Sequence, residues 1–300
     1  MLGGTSRIGV VCHTRVAGTH APEFMLALFN CFGGLHMKFA QTLLALALAG
    51  TMGSAFAAVN WNGTANYTVA PGAQLDEEAV GPFDTYDMGA GVVLLKNTGG
   101  NTYNGFYQSF VTNHELASTS VNAPKLNNTY ELTMAANFTQ TVTPVGTSSS
   151  LINVNSGTFN LYFDSSVDRN FGADTGFTDG ASILSGTIIG GTGSAVSSGG
   201  MIFGVTDITV KVTSYNTAVF EPDTITDAGG IFTLRLGSPF DAALLGGVTS
   251  VQGNAKNSGD FLFAADGNIA LAVPEAETYA MMLAGLGLVG FMVSRRRGSL

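Results

Sequence analysis

Apolar and polar residues alternate in several short segments between residues 130 and 263, a pattern typical of strands with one buried face. The clearest is Asp207–Thr213, in which Ile208, Val210 and Val212 fall on one face. Other segments with this pattern are Tyr130–Met134, Phe159–Phe163, Phe232–Leu236 and the short run Phe261–Phe263. No amphipathic helix of convincing length lies between them, so the pattern favours a β protein.

Glycine and serine cluster between these segments, at Gly146–Ser150 and Gly190–Gly200, and we interpret both clusters as connectors. A shorter turn signal, Asp227–Gly230, precedes the strand at Phe232. No repeat of fixed period is evident, which disfavours a solenoid. We therefore predict an all-β fold, a single β-sandwich or jelly-roll-like domain whose two-sheet core spans about residues 60–270.

The composition supports a folded chain and limits its partners. Hydrophobic residues make up 45% of the chain and charged residues 11%, enough apolar material for a core and too little charge for a disordered acidic tail. Between Ala58 and Val273 there are 18 acidic and six basic residues, a net charge of −12. A body this acidic repels phosphates, so no nucleic acid partner is expected.

Residues 37–57 have the three-part layout of a secretory signal peptide. Lys38 supplies a positive charge, an apolar run follows at Leu43–Ala49, and Ala55 and Ala57 are the small residues of an A-x-A cleavage site. We place the cleavage between Ala57 and Ala58. The apolar run is too short for a stable spanning helix, which favours a signal peptide over a structural helix.

Residues 1–36 precede this signal and have two interpretations. They contain both cysteines and three of the four histidines of the chain, namely Cys12, His13, His20, Cys31 and His36. One interpretation is a metal-binding arm. The other, which we favour, is an extension of the gene model, because a signal peptide works best at the start of a chain and Met37 provides that start. The exported body then has no thiol for disulfides or metal sites.

The C-terminal residues 273–300 combine three features. The run Val273-Pro274-Glu275-Ala276 comes first, and its proline keeps the junction from continuing as a helix. The next 17 uncharged residues, Thr278–Ser294, would span about 25 Å as a helix, enough to cross a thin membrane. A cationic membrane stop follows, formed by Arg295, Arg296 and Arg297. By the positive-inside rule the body lies outside the cytoplasmic membrane.

This tail resembles the PEP-CTERM sorting signal of Gram-negative bacteria, with Val273–Ala276 as the sorting motif. The family typically reads Pro-Glu-Pro, and Ala276 stands here in place of the second proline. The resemblance implies recognition by exosortase, an intramembrane cysteine transpeptidase-like enzyme that cuts near the motif and releases or transfers the body. Contact with the cytoplasmic membrane would then be transient. The alternative is a plain C-terminal membrane anchor.

Two parts of the body, Asn104–Phe110 and Gly157–Ile189, are similar to PEP-CTERM proteins associated with flocculation, in which cells aggregate within exopolysaccharide. This second resemblance would cover about residues 80–270 of the chain. It implies a role in biofilm or floc formation, with exopolysaccharide or other matrix components as partners.

Candidate catalytic residues are few, and we expect no enzyme activity. The polar surroundings of His114, the one histidine between residues 58 and 272, predict a surface position. No Gly-x-Ser-x-Gly nucleophile elbow accompanies it. The alternative is an enzyme that acts on exopolysaccharide through paired carboxylates, either Asp84 with Asp87 or Glu221 with Asp223.

Four aspartates fall within 16 residues of loop-like sequence: Asp164, Asp168, Asp174 and Asp179. Hard oxygen ligands on a flexible loop suit Ca²⁺, although the spacing does not match an EF-hand. The alternative is that aspartates simply favour turns. A calcium-stiffened adhesin is thus a second alternative function, and no other cofactor is expected.

Six aromatic residues could stack on sugar rings or pack in the core: Trp61, Tyr67, Tyr103, Phe106, Tyr107 and Tyr162.

The sequence therefore predicts four parts. They are an extension at 1–36, a signal peptide at 37–57, a β-rich extracellular domain at 58–272 and a sorting tail with one transmembrane helix at 273–300. We expect an exported, non-catalytic protein of the cell surface or extracellular matrix, which reaches that location after transient anchoring in the inner membrane.

Overall fold

The computed structural model describes residues 59–225, 229–237 and 246–273, together with Leu286. Within these ranges there are sixteen strands, and a 3-10 helix, Tyr67–Val69, lies between the second and the third. The strands are β1 (Val59–Asn60), β2 (Gly63–Asn66), β3 (Ala79–Phe83), β4 (Thr85–Met88), β5 (Gly91–Gly99), β6 (Thr102–Leu116), β7 (Thr119–Val121), β8 (Glu131–Val145), β9 (Ser149–Asp164), β10 (Ala181–Ser198), β11 (Met201–Tyr215), β12 (Phe220–Glu221), β13 (Gly229–Gly237), β14 (Ser250–Val251), β15 (Asn254–Ala255) and β16 (Phe261–Val273).

Eight strands form one antiparallel sheet that closes on itself. Each is hydrogen-bonded to the next in the order β4, β6, β8, β9, β10, β11, β13 and β16, and β16 pairs in turn with β4. β5 continues the line of β4 and also pairs with both β6 and β16, so β4 and β5 act as one interrupted strand. The interruption lies at Gly89, whose N–H donates to the carbonyl of Phe110.

The predicted all-β class is confirmed. The predicted sandwich or jelly-roll layout is not confirmed, because the long strands follow one closed path and not two facing sheets. Apolar side chains from around the closed sheet meet in a single core, among them Phe159, Ile208 and Phe232, which are fully buried. A closed sheet of this size is filled by side chains from its own strands.

The strand predicted at Asp207–Thr213 lies within β11, where its three apolar residues are buried and their neighbours are exposed. The connector predicted at Gly190–Gly200 is wrong for most of its length, since β10 continues to Ser198 and only Gly199 and Gly200 make the turn. Pairing on both sides holds this glycine-rich strand. A Cβ on Gly193 would lie 2.3 Å from a carbonyl oxygen of β11, so the strands approach closely there.

Two smaller structures pack against the closed sheet. β12, β2 and β3 form a three-stranded sheet whose apolar residues join the main core. Outside the closed sheet, the loop 165–180 and the hairpin of β14 and β15 lie over β5 and β6. There a second cluster forms from Val92, Leu94, Val248 and Val251, with Phe106, Phe171 and Leu262 packed against it.

Several predicted features lie outside the described residues. They are the extension 1–36, the signal peptide with its cleavage site at Ala55, Ala57 and Ala58, and the tail from Pro274 onward with Glu275, Ala276, Arg295, Arg296 and Arg297. Among the described residues, no helix has both the length and the apolar character needed to span a membrane.

Candidate functional site

The two ends of the described body meet at one place in the sheet. In the pairing of β1 with β16, Val59 lies opposite Val273 and Asn60 opposite Ala272. The N–H of Trp61 donates to the carbonyl of Leu271 at 2.9 Å. The predicted signal cleavage site therefore lies one residue before β1, and the sorting motif begins at the last residue of β16.

β16 is held along its length before it reaches this junction. It pairs with β13 on one side and with β5 and β4 on the other. The N–H of Leu271 donates to the carbonyl of Asp84 at 2.9 Å, and Ala272 is buried. Pro274, the next residue after the strand, has no N–H to offer to a ladder. In the sequence, the predicted tail therefore follows directly after a paired strand.

The loop 165–180 brings three of the four predicted calcium ligands together. Carboxylate oxygens of Asp164, Asp168 and Asp179 all lie within 4.8 Å of one another. Desolvation raises the pKa of Asp168, and the charges of Asp179 and then Asp164 raise it further. A divalent cation would relieve this repulsion and would find oxygen ligands of the type that Ca²⁺ prefers.

Asp174, the fourth predicted ligand, does not join this group. Its carboxylate accepts the backbone N–H groups of Gln252 at 2.9 Å and Gly253 at 2.8 Å, and the side-chain amide of Gln108 at 3.1 Å. Two backbone donors and one amide occupy an acceptor that would otherwise be free for a metal. Asp174 instead fastens the loop to the turn between β14 and β15.

An ion pair between Arg169 and Glu131 also attaches the loop 165–180 to the sheet, and the sequence did not predict it. The guanidinium pairs with the buried carboxylate and lies 3.6 Å above the ring centroid of Phe110. The N–H groups of Asp168 and Arg169 donate to the same carboxylate at 3.2 and 3.1 Å. Burial raises the pKa of Glu131, while Arg169 acts to lower it. The feature of the sequence that could have indicated this ion pair is that Arg169 is the one basic residue between Asp164 and Asp179.

His114 is fully buried, and its predicted surface position is wrong. The polar residues beside it are partly exposed, but the rings of Tyr67 in the 3-10 helix, Phe83 on β3 and Tyr86 on β4 pack around the imidazole. Its Nε2 lies 2.7 Å from the hydroxyl of Tyr67, which lies 3.1 Å from that of Tyr86. Its Nδ1 has no hydrogen-bond partner within the described part of the chain. Burial lowers the pKa of His114 to about 3, so the ring is neutral at neutral pH.

The two carboxylate pairs lie in different surroundings. Asp84 is buried and accepts a backbone N–H at 3.1 Å. Asp87 is partly exposed, and desolvation followed by the charge of Asp266 raises its pKa. Glu221 and Asp223 are both exposed. The first pair thus combines a buried, hydrogen-bonded carboxylate with one of raised pKa, whereas the second is an open surface pair.

Of the six aromatic residues considered for sugar stacking, Trp61, Tyr67 and Tyr107 are fully buried and belong to the core. Phe106 is half-buried and borders an open trough of about 450 Å³ on the outer face of β6, β8 and β9. The sequence analysis missed this trough. The feature of the sequence that could have indicated it is a glycine inside each of two strands, Gly105 in β6 and Gly157 in β9. Glycine within a strand often marks a place where a ligand or another backbone comes close.

Comparison with known proteins bears on the tail. The family model of the PEP-CTERM protein-sorting motif matches residues 272–297, which include Val273–Ala276 and all three arginines. No curated protein and no solved structure matches the chain. The predicted sorting motif is confirmed, and it implies an exported protein that is sorted by an exosortase.

Proposed function

We propose that this protein is a non-catalytic component of the cell surface or extracellular matrix, processed at its tail by an exosortase-type enzyme and acting in exopolysaccharide-associated biofilm or floc formation. The observation that carries the proposal is the PEP-CTERM motif at residues 272–297, placed where the last strand of the folded body ends. The flocculation-like segments of the body support the finer role.

The residues of the tail have distinct roles in this proposal. Pro274 and Glu275 form the recognised and cut junction, which follows a strand that is already paired. The apolar stretch 278–294 anchors the chain in the cytoplasmic membrane until processing. Arg295–Arg297 stay on the cytoplasmic side and hold the register of the junction against the enzyme.

A non-catalytic role agrees with the surroundings of His114. The imidazole is enclosed by aromatic rings and kept neutral by burial, so it reaches no substrate in the folded body. A general acid or base has to approach the atom that it protonates to hydrogen-bond distance. His114 is better explained as a hydrogen-bonded member of the core.

Mass spectrometry of the secreted protein tests the processing step. We expect the extracellular form to begin at Ala58 and to lack residues 278–300. Replacing Glu275 by Gln together with Pro274→Ala should leave the tail attached in the membrane fraction, whereas Glu277→Gln, the control outside the motif, should be processed normally. An extracellular form with an intact tail would contradict processing.

The matrix role is tested separately in cells. A strain that lacks this protein should form weaker flocs or biofilm, and the parental chain should restore them. Normal aggregation and normal matrix content in the deletion strain would contradict this role even if the tail is processed.

A carboxylate enzyme acting on exopolysaccharide is the second candidate. The observation that favours it is the placement of Glu115 beside Asp84, whose N–H donates to the carbonyl of Glu115 at 2.8 Å. Desolvation and then the charges of Asp87 and Asp84 raise the pKa of Glu115 there. Incubating the purified protein with its own matrix should then release sugar, and Asp84→Asn or Asp87→Asn should stop the release. Glu221→Gln and Asp223→Asn test the other pair. Absence of released sugar would end this interpretation.

A calcium-stiffened adhesin is the third candidate. It is favoured by the convergence of Asp164, Asp168 and Asp179 at the surface of the loop 165–180. Such a role is compatible with export, because extracellular modules often bind calcium with modest affinity. Its test is a stability measurement with and without calcium.

A further inference from the structure

Two rows of outward-facing side chains cross β6, β8 and β9 and leave the outer trough between them. The registers align Phe106 with Asn137 and Thr158 in one row. They align Asn104 with Thr139 and Ser156 in the other. The floor between the rows is the backbone of a third register row, Gly105–Phe138–Gly157. The trough measures about 450 Å³ and is open to solvent.

The core beneath the floor fixes the shape of the trough. A Cβ on Gly105 would lie 2.4 Å from the ring of Phe138, and one on Gly157 would lie 2.1 Å from the carbonyl oxygen of Asn137. Phe138 itself is buried. Both glycines are therefore required for this packing, and the floor is rigid backbone inside a paired sheet. A rigid site loses little conformational entropy when a ligand binds.

The side chains along the trough are uncharged and largely without partners. Within the described part of the chain, Asn104, Asn137 and Thr158 make no side-chain hydrogen bond, and the hydroxyl of Thr139 has one long contact, 3.5 Å, to the carbonyl of Ser156. Amides and hydroxyls both donate and accept hydrogen bonds. The half-buried ring of Phe106 supplies an apolar surface beside them.

We propose that this trough binds a segment of an uncharged polysaccharide. Sugar hydroxyls match free amides and hydroxyls because they also donate and accept, and the apolar face of a sugar ring packs on an aromatic side chain. The inference rests on the proposed matrix function and names the class of polymer that the protein contacts.

Two other occupants fit the trough less well. An anionic polymer would find no cation among the lining residues and would meet a body with a net charge of −12. A peptide adding as a strand needs an unpaired strand edge, but along the trough β8 is paired with both β6 and β9, and β9 is paired with both β8 and β10.

Binding to purified polymers tests the proposal. The secreted protein is mixed with soluble uncharged polysaccharides (dextran, a mixed-linkage β-glucan and a galactomannan) and with alginate as an anionic polymer, and binding is measured by affinity electrophoresis and calorimetry. We expect binding to at least one uncharged polymer and none to alginate. Thr158→Trp, which fills the trough, should weaken binding at least tenfold.

Thr209→Trp is the matched control, because Thr209 is also an exposed threonine on the outer face, two strands further round on β11. It should bind as the parent does. Asn137→Ala removes hydrogen-bonding groups without adding bulk and should weaken binding several-fold, so the test remains decisive if Thr158→Trp folds poorly.

Three results would overturn the proposal: no binding to any uncharged polymer by folded protein, parental binding by a folded Thr158→Trp variant, or binding to alginate alone. Failure of the proposed function has a different readout, since it appears as an unprocessed tail or as normal flocs in the deletion strain. A protein that is processed and needed for flocs but binds none of the uncharged polymers would overturn only the role of the trough.

Discussion

Val59 lies opposite Val273 in the antiparallel pairing of β1 with β16. The first strand after the predicted signal cleavage site therefore pairs with the strand that leads into the sorting motif. The last two residues of β16 are thus paired with residues from the other end of the body, and in the sequence the predicted cleavage site and the sorting motif each border this pairing.

Removing Val59 and Asn60 from the exported chain should loosen this junction. β16 then loses its pairing partner at Ala272 and Val273, and amide hydrogens in a peptide covering Ala270–Val273 should exchange about tenfold faster. Hydrogen exchange with mass spectrometry measures this. The double variant Val59→Ala and Asn60→Ala keeps the backbone and should exchange like the parent; equal exchange in the deletion would contradict the role of β1.

Trp61→Phe should lower the free energy of unfolding by about 2 kcal/mol, through a lost hydrogen bond and a small cavity. Its indole N–H donates to the carbonyl of Pro222 at 3.1 Å, and its ring packs edge-on against Phe83 at 5.3 Å. Urea denaturation followed by circular dichroism measures the change. Phe203→Leu, at an exposed position on β11, should change stability by less than about 0.5 kcal/mol. Similar losses in both would count against the buried packing of Trp61.

Arg169→Met should destabilise the protein by about 3 kcal/mol at pH 7, because it leaves the buried carboxylate of Glu131 without its cation. Burial already raises the pKa of Glu131, and losing the arginine raises it further. As pH falls through that pKa the carboxyl becomes neutral and needs no cation, so the loss should shrink at pH 4.

Urea melts at both pH values measure this effect. The double variant Arg169→Met and Glu131→Gln should recover most of the stability at pH 7, and Arg235→Met, at an exposed arginine, should be nearly neutral. An equal loss at pH 4 and pH 7 would contradict the buried ion pair.

The stability of the parent should decrease as pH falls below 6.5, and His114 should account for part of this. Its pKa is lowered from 6.5 to about 3, so below pH 6.5 the unfolded chain takes up a proton that the folded chain does not. The contribution is fully present above pH 6.5 and is reduced by about 2 kcal/mol at pH 5. His114→Phe should show a flatter pH dependence in urea melts between pH 4 and 7. Parallel profiles would contradict this origin.

Calcium should raise the melting temperature by about 5 °C at millimolar concentration if the three clustered aspartates bind it. Asp168→Asn should abolish this rise and, in EDTA, should melt no lower than the parent because it removes charge repulsion. Asp76→Asn, at an exposed aspartate elsewhere, should keep the rise. An unchanged parental melt on adding calcium or EDTA would argue against the site.

Local pattern predicted the strands well where one face is buried. Ile208, Val210 and Val212 alternate in sequence and are buried in β11, and Phe261 begins β16 as predicted. The glycine-rich half of β10 has no alternating pattern of apolar and polar residues. It is a strand because its backbone is hydrogen-bonded to β9 and β11, and its side chains contribute little to that. Periodicity cannot detect that kind of stabilisation.

Contacts between residues that are distant in the chain could not be predicted from the sequence pattern. Alternation assigns a face to each residue but does not name the partner strand, so the closure of β4 with β16 was not predictable. His114 is buried because rings distant in sequence cover it, and Asp174 leaves the acidic group because a turn some eighty residues later offers it two N–H donors. The tail was predictable because motif, apolar stretch and arginines are contiguous.

The pairing of Thr85 with Ala270 has a consequence for the timing of folding. The ring of strands is completed only by the last strand before the sorting motif, so the body cannot finish folding until nearly all of it has crossed the membrane. Such non-local pairing is intrinsically slow. The closed sheet therefore stays open during export and is completed only when β16, the strand that leads into the sorting motif, becomes available for pairing.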